Sequence, residues 1–147
     1  MTRRARDVMT PDPACCTVNT SVDEIAKLMV QNNCGEIPVV DHADHVVGVV
    51  TDRDIVCRVV AHGKNPIGHT AGECMSQSVV TVDPETPLEE VVAIMERHQI
   101  RRVPVVANGG GCCAGIISQA DLARAGAEHE VAELVREVSQ ETGHASR

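Results

Sequence analysis

The feature that most constrains the fold is a short stretch that occurs twice in the chain. The first copy, residues 48–55, reads GVVTDRDI, and the second, residues 115–122, reads GIISQADL. In each copy a glycine and two β-branched residues precede a hydroxyl residue, and an aspartate follows three positions later. β-branched residues favour strands, and a hydroxyl residue followed by this acidic residue is typical of a helix N-terminus. The sequence therefore predicts two buried strands that each run directly into a helix.

The residues at these two junctions have the chemistry of a ligand site. Thr51 and Ser118 stand at the predicted N-caps, and Asp54 and Asp121 face the amides of the first turn. Free amides suit a phosphate, and a carboxylate can accept hydrogen bonds from both hydroxyls of a ribose. The alternative interpretation is that both stretches only cap their helices. Their matching positions in a repeat favour a role in ligand binding.

The repeat extends well beyond the two junctions. The segment IPVV at residues 37–40 returns as VPVV at residues 103–106, an offset of 66 (103 minus 37). The pair VM at residues 8–9 is matched by CM at residues 74–75. This duplication, with a helix–strand–strand–helix order in each half, implies two similar units that share one interface.

The predicted domain boundaries follow the repeat. Residues 1–67 hold the first motif with a loose lead-in over residues 1–8, and residues 68–127 hold the second motif. Residues 128–147 hold a C-terminal helix, over residues 128–140, and a frayed tail.

Local patterns predict the remaining elements. Capping boxes at Ser21 and Thr86 predict helices over residues 22–32 and 87–98, and a further helix is predicted over residues 52–61. A proline in each IPVV-type strand belongs at the start of the strand or on a sheet edge. The other expected elements are a short strand at residues 15–18, hairpin turns at residues 41–45 and 108–111, and a closing strand from Gly115.

The composition restricts the core to aliphatic residues. The 147 residues, of 15.7 kDa, fit one domain or two very small ones closely packed. Because the chain has no Phe, Trp or Tyr, a ligand base would be gripped by aliphatic side chains. The cysteines are odd in number, no C-x-x-C occurs, and no secretion signal is visible. We therefore expect reduced thiols that serve as small apolar residues.

Charge and hydropathy exclude several classes of protein. A net charge of −8 argues against a nucleic-acid surface. The basic N-terminus is not followed by an apolar run, so it does not predict a signal peptide. No stretch approaches the ~20 apolar residues of a membrane span. The sequence predicts a soluble, cytoplasmic protein.

The repeated motifs resemble a tandem pair of cystathionine-β-synthase (CBS) domains. The resemblance rests on VMT at residues 8–10, on the two strands with Pro-Val-Val, and on the two strand–helix junctions. It covers roughly residues 5–126, with every element recurring in order. Since the pair has no fused domain, the chain resembles stand-alone bacterial CBS-pair proteins of the hypoxic-response type.

The resemblance implies an α+β fold of two β-α-β-β-α motifs. The motifs would be related by a pseudo-two-fold axis and packed sheet to sheet, with the helices outside. Such pairs usually dimerise, so a homodimer is expected. Clefts between the motifs commonly hold AMP, ADP, ATP, NAD or S-adenosylmethionine as regulatory ligands. The implied function is non-catalytic sensing of an adenine nucleotide, signalled by a conformational change to an unidentified protein target, with no required cofactor.

The resemblance also implies the ligand-binding residues. Asp54 and Asp121 match ribose-binding aspartates, and Arg102 matches a basic position that often meets phosphate, where the first half has Glu36. The opening segment of each motif would line the cleft of the other motif, residues 10–16 beside Asp121 and residues 76–80 beside Asp54. The full implied set is Thr51, Asp54, Ser118, Asp121, Arg102, Thr10, Cys16, Ile37, Pro38, Val80, Val103 and Pro104.

Three other functions stay open at this point. An enzyme is disfavoured because no nucleophile, base and orienting residue stand at a recognisable spacing. A metal or redox sensor could use His42 and His45 on one hairpin turn, or Cys112 and Cys113 beside the other. The third alternative is a scaffold that binds no nucleotide. The sequence predicts no catalytic residue and no metal ligand.

Overall fold

The computed structural model describes residues 3–77, 79–107, 113–126, 136 and 138. The helices are α1 (Ala5–Val8), α2 (Val22–Asn32), α3 (Asp52–Arg58), α4 (Ala71–Cys74), α5 (Leu88–His98) and α6 (Gln119–Arg124), with 3-10 turns at Val60–His62 and Pro66–Gly68. The strands are β1 (Thr10–Pro11), β2 (Glu36–Val40), β3 (Val46–Thr51), β4 (Arg102–Val106) and β5 (Cys113–Ser118). The predicted α+β class is confirmed. In the described ranges no helix is long and apolar enough to cross a membrane.

The chain folds into two compact units. The first-repeat unit contains Pro13–Val79. Among the described residues, the second-repeat unit contains those up to Asp12, those from Val80 to residue 107 and those from Ala114 onward. Each unit therefore holds the short helix that precedes the other repeat in sequence: α4 belongs to the first-repeat unit and α1 to the second. The units divide the chain differently from its sequence repeats.

Each unit contains one sheet, and the strand pairs β2–β3 and β1–β5 are antiparallel. In the first-repeat unit β2 pairs with β3, and Ser76 forms an isolated bridge with Val49 of β3. In the second-repeat unit the strand order is β1-β5-β4, and Thr10 of β1 pairs with Ile116 of β5. The segment that precedes one repeat therefore pairs with the closing strand of the other repeat.

Each sheet and its helices enclose an aliphatic core, as the lack of aromatic residues predicts. The first-repeat core contains the buried residues Cys16, Val22, Ile25, Met29, Ile37, Val39, Val50, Val59, Ala71 and Cys74. The second-repeat core contains Ala5, Val82, Leu88, Val91, Val92, Met95, Val103, Val105, Ile117, Leu122 and Val138. The apolar faces predicted for residues 22–32 and 87–98 supply members of both cores, so these helices are held by packing of one face.

The prediction of a loose lead-in over residues 1–8 is wrong for α1. Ala5 has no exposed surface, and its amide donates to the Thr86 carbonyl at 2.8 Å. Ala71 of α4 makes the matching bond to the Thr20 carbonyl, also at 2.8 Å. A single helical turn is marginal by itself, so these distant backbone bonds stabilise both turns.

The predicted capping boxes at Ser21 and Thr86 are also wrong. Ser21 precedes α2 but makes no side-chain cap, and α5 begins at Leu88 with Pro87 in the cap position. The Thr86 hydroxyl instead accepts from the Asp83 amide within a turn. The first-turn amides find partners elsewhere: Val22 donates to the His69 carbonyl and Leu88 to the Arg3 carbonyl, each at 2.9 Å. The helix spans themselves agree with the predictions, except that α5 starts one residue later.

One strand prediction needs correction, and the proline prediction holds for the sheet edge. Residues 15–18 form no strand; only Cys16 bridges β2, opposite Val39. Pro38 lies in the middle of β2, opposite Val49, and β2 is an edge strand of its two-stranded sheet, which is one of the two predicted placements. Its position is tolerated because Val49 directs its amide and carbonyl to Ser76, away from Pro38. The missing proline N–H therefore costs the β2–β3 ladder nothing.

The remaining differences are at element ends. The helix predicted over residues 52–61 ends at Arg58 and continues as a 3-10 turn, and the second closing strand begins at Cys113, before Gly115. The polar turn at residues 41–45 is confirmed, with the Asp41 carboxylate accepting from the amides of Ala43 and His45. The turn predicted at residues 108–111 lies outside the described residues, as does the helix predicted over residues 128–140 apart from residues 136 and 138.

Candidate functional site

The first candidate site is the junction of β3 and α3 in the first-repeat unit. The Thr51 hydroxyl accepts from the Asp54 amide at 3.1 Å, and Asp54 Oδ2 accepts from the Thr51 amide at 2.9 Å. This is the reciprocal capping box that the sequence predicted. Asp54 is 9% exposed, which is unusual for an aspartate that serves only as a surface cap.

The junction of β5 and α6 in the second-repeat unit has the same geometry. Asp121 Oδ2 accepts from the Ser118 amide at 2.9 Å, and the Ser118 hydroxyl lies 3.2 Å from the Asp121 amide. Asp121 is 7% exposed. The two repeats therefore bury one aspartate each, at matching positions, with one carboxylate oxygen fixed by the helix cap.

The second carboxylate oxygen of each aspartate faces an arginine. Asp54 Oδ1 lies 3.7 Å from Arg58 Nε, and Asp121 Oδ1 forms an ion pair with Arg124. The arginine side chains are 52% and 71% exposed, so each can move away into water. Sequence reasoning missed both arginines, although a basic residue one turn after an acidic one was a readable signal. Oδ1 is thus the oxygen that the helix cap leaves to other partners.

The segments that follow α1 and α4, which we call the lead-in segments, also lie beside these junctions. Thr10 Oγ1 lies 3.4 Å from Asp121 Oδ1, at the edge of hydrogen-bonding distance. In the first-repeat unit Ser76 exchanges two backbone bonds with Val49, two residues before Thr51 in β3. Each aspartate therefore has a segment from the neighbouring repeat beside it, within its own unit.

The other predicted site residues lie in the cores and strands of the two units. Cys16 is buried in the first-repeat unit, and its amide donates to the Pro38 carbonyl. Ile37 has no exposed surface and pairs with Val50, next to Thr51. In the second-repeat unit Val103 and Pro104 of β4 are buried, and Val80 packs against the core. Cys16 thus lies in the unit of Asp54, and Val80 in the unit of Asp121.

The two sites differ in charge at one matching position. Glu36 stands opposite Thr51 in the β2–β3 ladder and is 5% exposed. Arg102 begins β4 in the second-repeat unit. Glu36 and Arg102 occupy equivalent places in the two repeats, as a matching pair of backbone bonds indicates. The Asp52 amide donates to the carbonyl of Gly35, just before β2, and the Gln119 amide donates to the carbonyl of Arg101, just before β4. A carboxylate in one repeat is therefore replaced by a guanidinium in the other.

Two thiols beside the first-repeat site are held protonated. Burial, assisted by the neighbouring Cys15 and Cys74 thiols, raises the pKa of Cys16 to about 12. Burial also raises the pKa of Cys74, with a further rise from Asp54 and an opposing effect of Arg58. Protonated buried thiols are poor nucleophiles and poor metal ligands, so both act as apolar core residues.

The described residues contain no group of three or more His, Cys, Asp or Glu side chains placed to hold a metal ion. His45 Nδ1 lies 3.8 Å from the Asp41 carboxylate, so the contact of this histidine is within its own hairpin turn. Of the two cysteines in the metal or redox alternative, Cys113 begins β5 and Cys112 lies outside the described residues.

Comparison with known proteins gives matches along most of the chain. The family model of the CBS domain matches residues 5–61 and 71–128. Hypoxic response protein 1 of Mycobacterium tuberculosis is 34% identical over 134 residues, which cover 91% of this chain and 92% of that protein.

Two solved structures have similar folds. The crystal structure of Hypoxic Response Protein I with two coordinated zinc ions is 34% identical, has a TM-score of 0.74, and is matched over 83% of this chain and 98% of that one. The CBS domain pair of protein MJ0100, in complex with 5′-methylthioadenosine and S-adenosyl-L-methionine, is 27% identical, with a TM-score of 0.78 over 88% of this chain and 99% of that one. This chain belongs to the CBS domain family and carries two copies of the domain.

Proposed function

We propose that this protein is a non-catalytic regulatory module that senses adenosine-containing ligands through Asp54 and Asp121. The observation that carries the proposal is that the two oxygens of each carboxylate have different partners. One oxygen is fixed by the helix cap, and the other faces a side chain that can move away. A cap needs only the first oxygen, so the second is available for a ligand.

A ribose fits this arrangement. Its neighbouring hydroxyls are donors, and a mostly buried carboxylate oxygen is a strong acceptor for them. The chain has no aromatic side chain to stack on a base, so the aliphatic residues near the junctions would contact the adenine. The MJ0100 domain pair, which is solved with two adenosyl compounds, supports this class of ligand.

The charge difference between the repeats favours phosphate at the second-repeat site. Each aspartate has an arginine about one turn later, so the difference lies at the strand start, where Arg102 begins β4 and Glu36 stands at the matching position of the first repeat. We therefore propose that AMP, ADP, ATP or NAD binds to the second-repeat site. The first-repeat site would prefer an adenosyl ligand without a phosphate in that position.

A homodimer and a protein target remain part of the proposal. Val30 and Ile67 of the first-repeat unit are 82% and 70% exposed, and Val56 and Val60 are more than half exposed. We propose that a second copy of the chain covers these exposed apolar residues. Analytical ultracentrifugation at micromolar concentration tests the dimer, and a monomer there would contradict it.

A thermal-shift screen followed by calorimetry tests the proposed function. The screen compares AMP, ADP, ATP, NAD and S-adenosylmethionine on the wild-type chain and on Asp54→Ala and Asp121→Ala variants. A ligand that binds the folded state at about 100 times its Kd should stabilise it by about 2.7 kcal/mol. If no adenosyl compound raises the melting temperature, the scaffold alternative is favoured.

Metal sensing is the second candidate, and the relative with two coordinated zinc ions supports it. The described residues do not form a metal cluster by themselves, so a zinc site would need other residues of the chain or a second copy. Zinc titration with thiol counting tests this candidate. Stoichiometric zinc binding with loss of accessible thiols would favour it over nucleotide sensing.

A further inference from the structure

Arg58 joins the first-repeat site to the segment that precedes the second repeat. Its Nε lies 3.7 Å from Asp54 Oδ1. Its Nη1 lies 3.3 Å from the Cys74 carbonyl oxygen and 3.2 Å from the Met75 carbonyl oxygen, both at the end of α4. One guanidinium therefore contacts the proposed ribose acceptor and the backbone of the lead-in segment at the same time.

We propose that Arg58 is a positioning residue that transmits occupancy of the Asp54 site to residues 74–76. The inference rests on the proposed function, because it requires ligand hydroxyls at Asp54. Hydroxyls that bind Asp54 Oδ1 displace the guanidinium from that oxygen. The carbonyls of Cys74 and Met75 then lose their charged donor, and residues 74–76 are bound less strongly to the rest of the unit.

The second repeat lacks this connection. Ala125 stands at the position that matches Arg58, at the same offset of 67 that relates Asp54 to Asp121 (121 minus 54). Within the described part of the chain, Arg124 pairs with Asp121 but bonds no carbonyl of the α1 segment. Thr10 contacts Asp121 directly instead. Among the described residues, the first-repeat site alone has an arginine that contacts both its aspartate and the carbonyls of the adjacent segment, since Arg3 of the second-repeat unit bonds the Ala125 carbonyl and not Asp121.

Hydrogen exchange at Met75 and Ser76 reports on the segment. The Met75 amide donates to the Ala71 carbonyl at 2.8 Å, and the Ser76 amide donates to the Val49 carbonyl at 2.9 Å. Both amides exchange faster when residues 74–76 detach from the unit. The Met9 amide, bonded to the Ala5 carbonyl at 3.0 Å, is the matched reporter in the other unit.

The test compares the wild-type chain with Arg58→Gln, and with Arg124→Gln as the matched control, with and without adenosine. Adenosine has the ribose hydroxyls but no phosphate, so Arg58 gains no new anionic partner. In the wild type, saturating adenosine should raise exchange at Met75 and Ser76 about threefold to tenfold and leave Met9 unchanged. Arg58→Gln should show the faster exchange without ligand, with no further rise on adding it; Arg124→Gln should behave as the wild type at both amides.

The affinity of the Asp54 site for adenosine distinguishes a coupling role of Arg58 from direct contact of Arg58 with the ligand. Removing a half-exposed competitor should tighten binding by about two- to fivefold in Arg58→Gln, measured in an Asp121→Ala background. Weaker binding would make Arg58 a ligand contact and overturn the inference. Adenosine binding to the wild type without faster exchange would overturn the coupling and leave the proposed function intact. If adenosine binds neither site, both the proposed function and the coupling fail.

Discussion

Gly115 lies against Met9 so closely that a Cβ on Gly115 would stand 2.5 Å from the Met9 sulfur and 2.8 Å from the Thr10 carbonyl oxygen. Gly48 has the same relationship to Met75 in the other unit, with 2.7 Å to the sulfur. The recurrence of this glycine and this methionine in both repeats therefore has one cause. The closing strand of each repeat needs a residue without a side chain where the lead-in of the other repeat crosses it.

Gly115→Ala should destabilise the protein because the added methyl group overpacks this crossing. The methionine side chain can move, but the Thr10 carbonyl belongs to the β1–β5 pairing and cannot move without breaking it. We expect a loss of about 1–3 kcal/mol in the free energy of unfolding. Urea denaturation measures it, and Gly68→Ala, where a Cβ would meet nothing within 4 Å, is the control. Equal stability of both variants would contradict the packing account.

Ionisation of the Cys16 thiol should lower the stability of the protein in alkaline solution. Its pKa is raised from 9.0 to about 12, so the unfolded chain loses the thiol proton first. The protonated Cys16 thiol makes its full contribution to the free energy of unfolding below about pH 9. This contribution is lost as the pH rises toward 12, because ionisation of the thiol increasingly favours the unfolded state. At about pH 10.5 we expect a loss on the order of 1–2 kcal/mol relative to Cys16→Val.

The experiment compares urea denaturation of the wild type and Cys16→Val under reducing conditions at about pH 8 and about pH 10.5. Valine is the natural replacement because Val82 stands at the matching position of the second repeat. Cys34→Val, at an exposed cysteine, is the control. Identical pH dependence in the wild type and Cys16→Val would show that the thiol is not protected by burial.

Arg102→Ala should weaken AMP binding much more than adenosine binding. The guanidinium attracts the phosphate, and partial screening by solvent limits the effect to on the order of 1 kcal/mol, or about fivefold in Kd. Calorimetry with both ligands measures the difference. Arg97→Ala, at an exposed residue of α5, should leave both affinities unchanged. Equal losses for AMP and adenosine would contradict the assignment of Arg102 to the phosphate.

Local pattern was sufficient to predict the elements whose bonds are local. The spans of α2 and β2 and the caps at Thr51 and Ser118 follow from periodicity and from residues three positions apart. α1 and α4 were missed because each is one turn long and is held by a carbonyl far away in sequence. The cap at Ser21 was also predicted wrongly, because the serine side chain makes no cap bond and the first amide of α2, that of Val22, donates to the distant His69 carbonyl.

The candidate site shows the same limit. Asp54 and Asp121 were readable because they recur in a motif. The link from Arg58 to the Cys74 and Met75 carbonyls was not, because it joins segments that only the fold brings together. The repeat by itself also does not show that each compact unit takes its lead-in from the other repeat; only the family resemblance implied that an opening segment lies beside the other motif.

Asp121→Asn separates a ligand-binding carboxylate from a helix cap, and it tests the central claim most directly. Asparagine keeps the size and part of the capping ability but loses the charge-assisted bonds to ribose hydroxyls. Isothermal titration with AMP and thermal melts on the same samples give both quantities, with Asp83→Asn, a turn carboxylate of the same unit, as the control.

The account predicts at least a tenfold loss of AMP affinity in Asp121→Asn, about 1.4 kcal/mol, with a ligand-free melting temperature only a few degrees lower. Unchanged affinity together with strong destabilisation of the ligand-free protein would contradict it, and Asp121 would then serve only to cap α6.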